Sequence, residues 1–266
     1  MTADGVSLGA MNTREAGPLL AMLRRALSRF DVLGAATGAA PASYDPWRPD
    51  RYPHDGLVLR AIARDLPREI DTRPDDWRKV AWNLDYAWFG ADEAASLLPP
   101  NPVVGAEANA TASMAWRVAR FHLRDFVRGE PAPWPAEAVQ EASLVSTVTA
   151  VADTTVTVAL SGRATMAWDF RWVRPNDGAE VVSPCRFDAA MHGEATWDRN
   201  ARRFVTFTFV AWGPRYGAHR YTNRNDDLGP APMAVAFELA GDSPRDRTPP
   251  HVVLHHEYFA ATGGLA

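Results

Sequence analysis

The stretch Val156-Thr157-Val158-Ala159-Leu160-Ser161-Gly162-Arg163-Ala164-Thr165-Met166-Ala167-Trp168-Asp169-Phe170-Arg171-Trp172 decides the reading of this chain. Its even positions are apolar or small throughout. Its odd positions are mostly polar, with Thr157, Ser161, Arg163, Thr165, Asp169 and Arg171. Side chains of a strand point alternately to its two faces, so this pattern predicts a strand with one buried face. The run is much longer than an ordinary strand of about 5–6 residues. Gly162 marks the place where it is expected to bend within a curled sheet.

Downstream, Pro175-Asn176-Asp177-Gly178 reads as a turn. Phe187, Ala189, Met191, Gly193, Ala195 and Trp197 then alternate as a second strand, and Val205, Phe207, Phe209 and Ala211 as a third. Asp198 to Ala201 joins these two as a hairpin. Gly213-Pro214 is expected to end the third strand, and Tyr216 to Pro232 to form a long polar loop. Met233, Val235, Phe237 and Leu239 define another strand, and His251 to Phe259 a last one. Consecutive strands with short turns place the chain in the mainly β (α+β) class, as an antiparallel calycin-like β-barrel that removes its own sheet edges. A two-sheet β-sandwich is the alternative.

Upstream, residues 1–135 read as a helical, loop-rich portion packing on a barrel domain of residues 136–266. Leu19, Leu20, Leu23, Leu27 and Phe30 fall on one face of a helix that opens near Pro18 and is capped by Gly34. Gly56 to Leu66 suits a short helix or a strand, and Met114 to Arg128 is equally open. Asp92 to Leu98 reads as a short helix stopped by Pro99-Pro100.

With 47% hydrophobic and 23% charged residues, the chain is globular rather than disordered. Its net charge of -4 argues against a nucleic-acid partner, which asks for a basic stripe. No apolar run reaches membrane-spanning length and no leader pattern opens the chain, so the expected location is the cytoplasm without a membrane partner. Cys185 is the sole cysteine, which excludes an internal disulfide and multi-cysteine metal sites. The single lysine, Lys79, lies in a charged surface-like run, which leaves little room for Schiff-base chemistry. A phosphate-binding loop, a strand-linked GxGxxG, a GxSxG elbow and an HExxH helix are all missing.

The chemistry-bearing residues are mainly histidines. His192 and Glu194 share one face of a strand, and His255-His256-Glu257 offers further imidazoles and a carboxylate. Two histidines with a carboxylate are the ligand set of a divalent transition metal, so His192, Glu194, His255 and His256 are the candidate metal ligands. His192 and Glu194 nevertheless lie opposite the apolar positions of their strand, which turns them toward water. His219 sits in the polar loop at a binding rim, and His122 with Asp125 offers an acid–base pair; these three are the candidate catalytic residues. Arg120, Arg124 and Arg128 share a face if their segment is helical, with salt bridges to Glu130 or Asp125 as their simplest use. Trp168, Trp172 and Phe207, with Phe170 and Phe209, would line a barrel interior able to hold a flat or apolar ligand.

The run Met191-His192-Gly193-Glu194-Ala195-Thr196-Trp197-Asp198, then Phe204 and Ala211-Trp212-Gly213, resembles β-rich bacterial proteins of no assigned activity. Arg120-Phe121-His122-Leu123-Arg124-Asp125 and Arg128-Gly129-Glu130-Pro131 share that resemblance, which implies a fold and no activity. The expected function is a small-molecule enzyme using a His/carboxylate cluster, metal-dependent if the ligand set converges. The alternative is a non-catalytic binding protein for an apolar or aromatic small molecule, and either reading leaves room for a homo-oligomer.

Overall fold

A computed structural model describes residues 15–33, 52–173, 178–254 and 257–260. The chain divides into two compact units, Met1–Arg48 and Pro49–Ala266. The first contributes helix α1 (Ala16–Leu33). Pro18 occupies its opening turn, where a missing N–H costs nothing, and Leu19, Leu23, Leu27 and Phe30 run along one side. Gly34, the expected cap, lies outside the described residues.

In the second unit one antiparallel sheet of eight strands organises everything. The strands are β1 (Leu57–Asp65), β2 (Trp82–Phe89), β3 (Glu107–Asn109), β4 (Val139–Val151), β5 (Thr155–Val173), β6 (Glu180–Asp198), β7 (Arg203–Tyr216) and β8 (Ala231–Leu239). Their spatial order is β2-β1-β8-β7-β6-β5-β4-β3. The mainly β class is therefore as expected, and so is the hairpin of β6 and β7. Its turn is held by Asp198, whose carboxylate accepts from the N–H groups of Asn200 and Ala201 at 2.8 Å.

One expectation is corrected. β1, β2 and β3 lie before residue 136 yet belong to the same sheet, so no domain boundary falls at residues 135/136. No pairing joins β2 to β3 among the described strands, so strand pairing leaves the sheet unclosed. The second wall that closure would supply comes from the segment 112–128. Helix α4 (Ala112–Arg117) starts at Thr111, whose hydroxyl accepts from the Met114 N–H at 3.1 Å, and runs into a π-helical turn, Val118–His122. Met114, Val118, Ala119, Leu123, Phe126 and Val127 pack with the inward residues of the strands in one core. Each large apolar side chain buried there is worth about 1.5–3 kcal/mol. Tertiary packing thus resolves the segment as helix through His122, and residues 123–128 follow it without regular structure.

The stretch from Gly56 to Leu66 is strand β1, and the short helices α2 (Trp77–Val80) and α3 (Ala91–Ala95) flank β2. Gly213 does not end β7. A Cβ there would lie 1.9 Å from the Asp188 carbonyl oxygen, so glycine lets β6 and β7 approach while the strand continues to Tyr216. The expected last strand, residues 251–259, is instead a 3-10 turn (His251–Leu254) and the short helix α5 (Glu257–Ala260). Val252 and Tyr258 are drawn into a second apolar cluster with Val58, Tyr86, Trp88 and Phe121, which a strand lying along the sheet edge would forgo.

On β5 the alternation holds from Val156 through Met166, all inward apolar positions except Gly162 being buried. Beyond Met166 it fails. The pairing with β4 ends at Val139–Met166 and that of β6 with β7 at Arg186–Tyr216. Residues 167–173 and 180–185 continue as a two-stranded ribbon. Trp168 is accordingly exposed and Trp172 half-buried, its indole N–H donating to the Ser183 hydroxyl at 3.3 Å. Phe207 is buried and packs edge-on against Phe204 in solid core. The three do not line a common interior, because the core is filled and the two tryptophans lie beyond it. No described helix is long and apolar enough to cross a membrane.

Candidate functional site

The polar centre of the molecule lies where the inward faces of β1 and β7 run out of apolar residues. Leu57, Leu59, Ala61 and Ala63 are followed on the same face by Asp65, and Phe207, Phe209, Ala211 and Gly213 by Arg215; all are buried. The loop after β7 opens with Gly217 at φ +96°, a left-handed conformation suited to glycine, where a Cβ would also meet the Pro184 carbonyl oxygen at 2.0 Å. It then turns Arg224 and Asp227 inward, both buried.

Arg224 is the hub. Its guanidinium donates to both oxygens of Asp65 at 2.7 and 2.8 Å and to both oxygens of Asp125 at 2.8 Å. Asp227 receives Arg68 in a bidentate pair at 2.7 and 2.9 Å, Arg128 at 3.0 Å and Arg215 at 2.6 Å. Burial works to raise both carboxyls. Hydrogen bonds and charge from Arg224 still carry Asp65 below its ordinary value, and Arg68, with Arg215, carries Asp227 down to about 2. Burial likewise opposes the charge on Arg224, but Asp125 and Asp65 raise its pKa. The guanidinium forks match the carboxylates geometrically, which is why arginine serves here.

Beside this network lies a recess lined by Asp125, Trp134, Phe170, Cys185, Arg215 and His219. It is narrow, with only about 20 Å³ wide enough for water. It is a slot rather than a chamber. The His219 ring stacks on Phe170 with centroids 4.2 Å apart and 18° between planes, and Trp134 continues the aromatic wall 5.7 Å from Phe170. The His219 backbone is fixed by Thr222, whose hydroxyl accepts from the His219 N–H at 3.1 Å and donates to its carbonyl at 3.0 Å. Burial lowers the pKa of His219, partly offset by the Asp125 charge. Burial, helped by Asp125, pushes the Cys185 thiol up to about 12. The buried Nε of Arg215 has no hydrogen-bond partner, and Asp125 is its ion-pair neighbour at 3.8 Å.

Of the candidate catalytic residues, His219 and Asp125 therefore meet at one recess. His122 does not join them. It is sealed among Phe89, Phe237 and Tyr258, its Nε2 3.0 Å from the Tyr258 hydroxyl and its Nδ1 without a partner. Burial drives its pKa down to about 3, so it is a neutral core residue. The candidate metal ligands do not assemble. His192 and Glu194 are exposed on the outward face of β6, and His255 and His256 lie outside the described residues. Among the described residues no group of three or more His, Cys, Asp or Glu side chains is placed to hold a metal ion. Arg124 pairs with Asp85 at 2.8 Å and only distantly with Glu130, and Arg120 pairs with Glu257. Asp65, Arg68, Arg215, Arg224 and Asp227 were not singled out by motif or spacing. The usable signal was the charge that continues an inward-facing series at Asp65 and Arg215. No known protein family matches the chain, and no curated protein or solved structure does either.

Proposed function

We propose that this chain is a non-catalytic binding protein whose ligand is a small flat molecule received in the slot between Trp134, Phe170 and His219. The observation that carries this reading is the aromatic lining of the recess, where the stacked Phe170–His219 pair and Trp134 stand side by side. Stacked aromatic walls recognise planar rings through their faces, and the charged groups on the other side, Asp125 and Arg215, would fix the orientation of a polar edge of the ring. The state of the polar groups favours binding over catalysis. Asp125 is already held by both ends of the Arg224 fork, the Cys185 thiol stays protonated, and His219 is a weak neutral base. An acid–base enzyme is the second reading, favoured by His219 and Asp125 lining the same recess.

A thermal-shift screen of heteroaromatic fragments tests the proposal. Fragments that stabilise the protein should lose their effect in Phe170→Ala and His219→Ala variants. Stabilisation that survives both substitutions, or no stabilising fragment at all, would count against this site. Turnover of a bound fragment that vanishes in His219→Ala while binding persists would favour the enzyme.

A further inference from the structure

We propose that the free edge of β5 pairs with the same edge of a second copy of this chain, making an antiparallel, two-fold symmetric dimer. The inference does not rest on ligand binding, although Phe170 borders both the slot and this edge. Past Met166, β5 has, among the described residues, a strand partner on its β6 side only, because β4 begins at Val139. An unpaired edge of this kind leaves backbone donors and acceptors open to another strand. An open cleft of about 560 Å³ lies against it, lined by Gln140, Thr165, Ala167, Trp168, Asp169 and Arg171. Arg186, Phe187 and Asp188 of β6 line it too, so it runs across the β5–β6 ribbon next to that edge. The edge is also apolar for a solvent-facing element, with Trp168 36% and Val173 61% exposed.

The sequence of the edge names its partner. Trp168-Asp169-Phe170-Arg171-Trp172 is self-complementary when two copies run antiparallel about Phe170. Asp169 of one copy then faces Arg171 of the other, twice, and Trp168 faces Trp172, twice. Opposite charges and aromatic pairs directly across two strands are the favourable cross-strand combinations, and an isologous contact of this kind closes as a dimer. The pairs that these charges make within one chain do not compete strongly. Asp169–Arg186 at 3.0 Å and Arg171–Glu180 at 3.2 Å join side chains that are 45–68% exposed, and pairs so exposed hold weakly. The β6 side of the ribbon is the poorer edge, since Pro184 lacks an N–H to donate.

Charge reversal with analytical ultracentrifugation of the full chain tests this. The wild type should sediment as a concentration-dependent dimer. Asp169→Arg and Arg171→Asp should each weaken it by about tenfold or more, because each turns two attractive cross-strand pairs into repulsive ones. The double swap, D169R with R171D, should restore the dimer although it breaks both pairs within the chain. An equimolar mixture of the two single variants should form a heterodimer that neither forms alone, which also shows that both have folded. A wild type that stays monomeric, or a dimer indifferent to the single reversals, would overturn the proposal. So would a double swap no better than the single ones.

Discussion

Replacing Arg224 with methionine should be among the most damaging single changes in the molecule. Its side chain is fully buried and donates five hydrogen bonds, to Asp65, Asp125 and Asp227. Methionine fills much of the volume but leaves Asp65 and Asp125 short of charge and donors. Asp65 would keep only longer pairs, to Arg73 at 3.4 Å, Arg128 at 3.6 Å and Arg68 at 3.9 Å, and Asp125 only Arg215 at 3.8 Å. Breaking a buried ion pair from one side costs about 3–5 kcal/mol. In a unit of this size that corresponds to a drop in Tm of roughly 6–20 °C. The loss should depend on pH with a defined sign. In the wild type Asp65 lies below its ordinary pKa, so acid is taken up first by the unfolded chain and stability falls as pH falls. Without Arg224, burial is the larger influence on Asp65, its carboxyl rises, and the folded variant accepts a proton earlier. The gap between wild type and variant should therefore narrow from pH 7 toward pH 4. Calorimetric melts of both proteins across that range measure it. A loss under about 1 kcal/mol at pH 7, or a gap that widens in acid, would refute the view that Arg224 neutralises buried charge.

Other outcomes follow from the same geometry. His122, with its pKa down at about 3 against an ordinary 6.5, binds its proton in the unfolded chain first, so stability should fall as pH drops between those values. Its share of the slope is about 1.4 kcal/mol per pH unit, and His122→Leu should flatten the chemical-denaturation curve over that range. Cys185, with a thiol near 12, should react with a disulfide reagent at pH 8 at least about a thousandfold more slowly in the native protein than after unfolding, as stopped-flow absorbance would show. Gly217→Ala should cost about 2 kcal/mol or more by urea titration, since φ +96° and the Pro184 carbonyl both exclude a Cβ. A smaller loss would mean that the start of this loop relaxes freely.

Much of the sheet was legible in the chain before any coordinates. Alternation from Val156 to Met166, and again through β6 and β7, reports directly which face a residue presents, because side-chain direction in a strand repeats every two residues. That rule is local, and it also turned His192 and Glu194 toward solvent, where the structure has them. It could not say where a face stops being covered. Trp168 continues the inward parity of β5 yet stands in solvent, because burial depends on β4 reaching it, and β4 starts too late.

The same limit governs the polar centre. Asp65 and Arg215 continue the inward parity of β1 and β7, but only the structure shows that residues 57–65 form a strand and that β7 runs past Gly213, so charge enters the core where the sequence left the strand open or ended it. Burying an ionised group is tolerable only when another charge meets it. Which charge does so was decided by the tertiary fold: a loop residue, Arg224, lies 159 positions from Asp65 and 99 from Asp125 and reaches both. The meeting of His219 with Asp125 and Phe170, and the exclusion of His122, were settled in the same way. Pairing across such separations depends on how the strands, loops and helical segment pack together, and no window of sequence holds that information.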